Sequence, residues 1–230
     1  MSCTFALKKH DMKKIAFEFL AQLAVNNNRE WFQANKTLYE SAKGEVESLV
    51  NSIIPLIAKV DDSVKFAEAR DCMFRIFRDV RFAKDKSPYK INMGAWISGG
   101  GRKSPGPGYY IHLQPGGSFL AAGVYMPEPV QLKKIRKEIY YNVTEFTSIL
   151  NEKKLKKYCN GLADMDKAKL PPKDFPKDFP EIDLLKHRHY TVVSPVRDEM
   201  IESEHFIELA GMIFKAMQPL NVFLKRALEE

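Results

Sequence analysis

What most constrains the fold of this chain is where its hydrophobic period changes. Residues 15–59 repeat apolar side chains at spacings of three and four, as helices do. Residues 72–125 break into short aromatic and β-branched runs divided by glycine and proline. Helical patterning returns at Glu128, yields to one more strand-like run near His189, and closes the chain from Glu204. The strands are therefore grouped and not alternated singly with helices. That order predicts an α+β fold: an antiparallel sheet of four or more strands, helices packed mainly on one side, and helical regions at both ends.

Ile15, Phe19, Leu20 and Leu23 predict a helix over 15–25. The run Asn26-Asn27-Asn28 breaks it, and Asn28 is placed to cap a second helix opening Arg29-Glu30-Trp31-Phe32 and reaching about Lys59. Trp31 and Phe32 read as core, and Pro55 kinks or divides the helix near its end. Strands are expected over Cys72–Phe82, Ile91–Ser98, Tyr109–Gln114 and Ser118–Tyr125. Pro115-Gly116-Gly117 is short enough to join the last two as a hairpin. Pro127-Glu128-Pro129 suits the opening of a helix over Glu128–Asn142, followed by another over Asn142–Cys159. Residues 161–183 read as an extended loop in which Lys173-Asp174-Phe175-Pro176 is at once repeated. His189–Val196 is the last strand and Glu204–Leu228 the closing helix. No linker divides the chain, so residues 1–230 are expected to form one domain.

At 230 residues the chain can bury roughly 70% of its unfolded surface and needs no metal or disulfide staple. No apolar run approaches the ~18 residues of a spanning helix, so no membrane partner is expected. The lysine-rich opening lacks the apolar stretch of a secretory signal. Cys3, Cys72 and Cys159 are odd in number and far apart, which suits free thiols in a cytoplasmic protein.

The net charge of +7 is concentrated. Between Arg70 and Lys103 stand nine basic residues against Asp71, Asp79 and Asp85, which accounts for +6 of it. Such a field draws phosphates, carboxylates or nucleic acid. If 74–82 is a strand, Phe74, Ile76, Arg78, Val80 and Phe82 share a core face, and Arg75, Phe77, Asp79 and Arg81 share the other. Arginine matters here because its guanidinium fork can hold a carboxylate or phosphate bidentately.

The pattern R-x-x-R-D-x-R-F over Arg75–Phe82, followed by D-K-x-P-Y-K over Asp85–Lys90, resembles the hallmark of an uncharacterised bacterial family with fungal relatives, domain of unknown function 2461. The likeness extends to Asn28–Phe32, Tyr110–Gly117 and Pro127–Pro129, and so spans about residues 15–226. It implies no activity and no cofactor, and it points to the same site.

Two readings of that site stand side by side. In one, Arg75, Arg78, Arg81, Asp85, Lys86, Lys90 and Tyr110 form a binding site for a small phosphate- or carboxylate-bearing ligand. Asp79 then orients a guanidinium, and His112, Tyr89 and Asp79 are the candidates for proton transfer. Tyr110, His112 and Gln114 alternate onto one face of their strand and line the same cavity if that face meets the arginines. In the other, the arginines and Asp79 form an internal ion-pair network, with Arg78 held by a carboxylate such as Glu30. A third reading uses the same arginines on nucleic-acid phosphates and the interleaved aromatics on bases.

Other motifs promise more than they hold. Gly99-Gly100-Gly101-Arg102-Lys103-Ser104 lacks the glycine that precedes a Walker lysine and the helix that follows it, so it reads as a flexible loop and a candidate lid. His187 and His189 would share a strand face but lack a third ligand, so no metal is expected. No cysteine carries a nucleophile signature.

Overall fold

The structure, a computed structural model, describes residues 14–229. The lysine-rich opening and Cys3 lie outside them.

Helix α1 (Lys14–Val25) and the short α2 (Arg29–Ala34) flank the asparagine run, and the Asn28 side chain caps α2 by accepting the Trp31 N–H at 2.9 Å. The helix expected over 29–59 is divided at Asn35, not at Pro55. Asn35 leaves helical geometry while its side-chain amide donates to the Trp31 carbonyl, and α3 (Lys36–Ala58) then runs on through Pro55. Phe19, Phe32 and Tyr39 close a ring cluster over this junction, with Trp31 half-buried at its edge. A short α4 (Ala69–Cys72) leads into the sheet.

The sheet has four strands, β1 (Met93–Ile97), β2 (Gly108–Leu113), β3 (Phe119–Val124) and β4 (Tyr190–Pro195), in the order β1-β2-β3-β4 with every neighbour antiparallel. The predicted hairpin joins β2 and β3, and His112 stands opposite Phe119. The segment expected as a strand over Cys72–Phe82 is not one. Met73 makes a single bridge to Ala95, and the Phe74 N–H donates to the Gly94 carbonyl at 2.9 Å. The chain then leaves the sheet edge and turns back on itself: Arg78 N–H bonds the Pro88 carbonyl and Lys90 N–H the Ile76 carbonyl. Pro88 has no N–H to extend that pairing. Of the five residues expected on a core face, only Ile76 is buried, and Phe82 is 95% exposed.

Helices α5 (Pro129–Tyr141), α6 (Val143–Asn151) and α7 (Lys153–Lys156) follow, so the helix expected over 142–159 is divided at Glu152. The long loop holds α8 (Ile182–Leu185), and α9 (Asp198–Glu202) precedes the closing α10 (Phe206–Glu229). Helix α10 lies on β3 and packs against α3, α5 and α6. Its Phe214 meets Tyr109 edge to face at 5.4 Å, and its buried Asn221 donates to the Gly108 carbonyl. Helices cover this face of the sheet, and the other face is left for the site. No helix among the described residues is long and apolar enough to cross a membrane.

Candidate functional site

Strand alternation sends Tyr109, Ile111 and Leu113 into the helical layer, so Tyr110 and His112 must face the other way. Register then aligns rows across the open face. Gly94, His112 and Phe119 form one, Trp96, Tyr110, Ala121 and Val193 the next, and Gly108, Gly123 and Thr191 the third. Bulk lies on β1 and β2, whereas β3 and β4 present small side chains beyond Phe119. The result is a cleft of about 1000 Å³. Its rim comes from Phe74, Arg75, Arg78, Asp79, Lys90 and Asn92 beside β1, from Arg102 and Ser104–Gly106, and from Tyr125, Met126, Glu128, Gln131 and Met165.

Tyr110 and His112 form a hydrogen-bonded line on the cleft floor. Gln114 Oε1 lies 3.2 Å from His112 Nε2 and Tyr110 Oη 3.1 Å from Nδ1. An amide oxygen only accepts, so Nε2 carries the proton and Nδ1 accepts from the tyrosine hydroxyl. His112 also stacks on Phe119 at 4.5 Å. Burial lowers the His112 pKa, against a smaller opposing effect of the Gln114 bond, and burial pushes the Tyr110 hydroxyl up to about 12. The imidazole is thus a neutral acceptor and the phenol keeps its proton. Gly94 makes room for it, since a Cβ there would stand 2.5 Å from Tyr110 Oη.

The cations behave differently from one another. Arg81 is held by Asp79 through Nε at 3.0 Å and Nη2 at 2.7 Å, which lowers the Asp79 pKa. Arg78 pairs with Asp85, whose carboxylate also accepts the Ser87 hydroxyl at 2.6 Å and the Ser87 N–H. Those Ser87 bonds, then Arg78, hold Asp85 far below the usual carboxylate range. Lys86 Nζ donates to the Val80 carbonyl. These contacts organise an exposed loop, with Arg81 76% and Asp79 48% accessible, and they are not an internal lattice. Glu30 is not the partner of Arg78.

Arg75 makes no hydrogen bond or ion pair to any described residue and lines the cleft. Lys90 lines it too, with Nζ 5.4 Å from the centre of the Phe74 ring. Its pKa is lowered by burial first and by the positive charge of Arg75 second. Two cations that repel each other thus share one edge of the cleft; no described carboxylate is bonded to either, and Asp79, held by Arg81, acts on Arg75 only through its charge.

The structure brings together Arg75, Arg78, Asp79, Lys90, Tyr110 and His112 from the sequence-derived set. It leaves Arg81, Asp85 and Lys86 in the neighbouring loop. Tyr89 is elsewhere again: it is buried and stacked on Phe32 at 4.0 Å, with its backbone held by the Asn27 side chain. The glycine loop is tied down and does not hang free as a lid. The Ser98 hydroxyl donates to the Gly101 carbonyl, Arg102 Nη1 to the Asp71 carbonyl at 3.0 Å, and Gln131 to the Pro105 carbonyl. His189 accepts the Met126 N–H at 2.9 Å and stacks on Tyr125, which sets one wall of the cleft.

A family model, described as conserved hypothetical protein (DUF2461), matches residues 15–223, which span every element from α1 to most of α10. The chain belongs to this family. No curated protein and no solved structure matches it. In this DUF2461 protein the residues missed by sequence reasoning are Trp96, Phe119, Ala121, Thr191 and Val193. The hairpin register would have placed Phe119 and Ala121 beside His112 and Tyr110. The partnership with β4 crosses some seventy residues of chain and has no local signal.

Proposed function

We propose that this protein binds a small organic anion, carrying a phosphate or carboxylate, in the cleft on the open face of its sheet. One observation carries the reading: Arg75 and Lys90 sit together at the cleft edge with no bonded counter-acid among the described residues, while their neighbours Arg78 and Arg81 each have one. An anion between them would relieve their repulsion and gain charge-assisted hydrogen bonds. The aromatic and apolar lining gives its organic portion somewhere to pack. If the ligand is turned over, the Tyr110–His112 pair is the proton relay within reach, with His112 as the neutral base.

The test is a thermal-shift screen with inorganic phosphate, sugar phosphates, nucleotides and dicarboxylates on wild type and Arg75→Met. A ligand that stabilises only the wild type supports the site. Equal shifts in both proteins refute it.

A second reading, sequence-tolerant nucleic-acid binding, draws on the loop outside the cleft, where exposed Phe82 stands between Arg81 and Lys84. It predicts affinity for a single-stranded oligonucleotide that falls steeply with salt and is lost in Phe82→Ala. The buried thiols of Cys72 and Cys159 support a reducing, cytoplasmic setting.

A further inference from the structure

We infer that the anion is amphiphilic, with its charged head at Arg75 and Lys90 and an aliphatic tail laid across the strands toward Met126 and Met165. The inference rests on the anion reading above and names the class of ligand.

The chemistry of the cleft is segregated along its length. Its cations come from segments beside β1, and Arg102 is itself drawn back toward the Asp71 carbonyl on that side. The β3–β4 end is floored by Ala121 and Val193 and walled by Met126 and Met165, with no cation among them. Thr191 adds no hydrogen-bonding group to the floor, because its Oγ1 is sealed from solvent as well as unpartnered. From β1 to β4 is three inter-strand steps of ~4.8 Å, roughly 15 Å. Inorganic phosphate or a short dicarboxylate would occupy the cationic edge and leave the rest of the cleft unfilled.

The far end favours a flexible chain over a stacked ring. Most aromatic rings of the cleft pack on one another: His112 on Phe119, Tyr110 against Phe74 and Phe119, and Tyr125 on His189, while Trp96 stands on β1 at the cationic side. Beyond them the floor is methyl and the walls thioether, with Glu128 and Gln131 at the rim, where Gln131 is tied to the Glu128 N–H and the Pro105 carbonyl. Methionine adapts its shape to irregular apolar partners, as an alkyl chain requires.

The experiment measures binding of acetate, hexanoate, decanoate and the neutral decan-1-ol by NMR titration, on wild type, Arg75→Met and Ala121→Phe. Ala121→Phe fills the trough, and Ala121→Val makes a smaller addition that gives the same ordering in a protein closer to wild type. Affinity should rise roughly fourfold per methylene from acetate until the trough is full. Ala121→Phe should weaken decanoate by about tenfold or more while leaving acetate unchanged. Arg75→Met should weaken all three carboxylates by about tenfold, as expected for loss of a charge-assisted hydrogen bond, and leave decan-1-ol unaffected. If decanoate binds no tighter than acetate, and acetate still depends on Arg75, the anion site stands and the tail is refuted. If no carboxylate depends on Arg75, the anion reading falls with it. Decanoate binding that ignores both variants would be surface adsorption and would also overturn the proposal.

Discussion

The two faces of the sheet are made by the same strands and differ in almost every other respect. On the helical face Ala95, Ile111, Leu120, Ala122, Val192 and their neighbours are sealed beneath the helices, with α10 over β3 and α3 and α4 against β1. On the other, one residue away along each strand, stand Trp96, Tyr110, His112, Ala121 and Val193, around a cleft edged by Arg75 and Lys90, neither of them bonded to a described carboxylate. A slip of one residue in register would exchange the two sets and drive His112 into the core. Core and site therefore specify one another: packing against α10 is what aims Tyr110 and His112 outward.

The contrast predicts graded effects. The largest belongs to the closed face: Phe214→Ala should cost about 4 kcal/mol in urea unfolding, since it empties a fully buried ring site against Tyr109. A loss below ~1 kcal/mol would mean that face is not the core. Next comes Gly123, where the two faces meet at β4. Its φ of +130° suits glycine, and a Cβ would lie 2.0 Å from the Tyr190 carbonyl oxygen. Gly123→Ala should cost about 3 kcal/mol and lower the melting temperature accordingly; wild-type stability would show that the strand shifts freely.

A smaller effect concerns pH. The folded-state pKa of His112 lies below its ordinary 6.5, mainly through burial, and buried His187 is lowered in the same direction. Between 6.5 and those lower values the unfolded chain binds more protons than the folded one, so stability should fall as pH drops through that window. His112→Asn should flatten the decline when melting temperature is followed against pH, and an unchanged profile would place the titration elsewhere. The smallest stability change is expected at Arg75. Arg75→Met should alter unfolding free energy by no more than about 0.5 kcal/mol, because no bonded partner among the described residues is orphaned, while anion binding weakens by about tenfold.

The closed face was legible because it is written as alternation and helical period, signals carried by bulk and hydrophobicity. Pro115-Gly116-Gly117 announced the hairpin for a local reason, the turn it must make. Half of the site was legible too, since Tyr110 and His112 sit two apart on a strand and the arginines cluster in sequence. The loop 78–87 was not. Its alternation imitates a strand, but Pro88 and the bonds that Ser87 donates to the Asp85 carboxylate turn the chain back. Tyr89 carried a motif position, yet its place was decided by a ring, Phe32, fifty-seven residues away. The β3–β4 end of the cleft was silent because its signal is missing bulk at Ala121 and Gly123, which sequence alone does not distinguish from ordinary small core residues.

The central claim is that Arg75 and Lys90 form an anion site, and the most direct test is the titration of the Lys90 ammonium by NMR with and without saturating inorganic phosphate. In free protein its pKa should lie below the ordinary 10.5. Phosphate should raise it, because an anion offsets the repulsion from Arg75, and in Arg75→Met the free value should already be higher and the phosphate response small. A Lys90 titration that is indifferent to phosphate in the wild type would contradict the account.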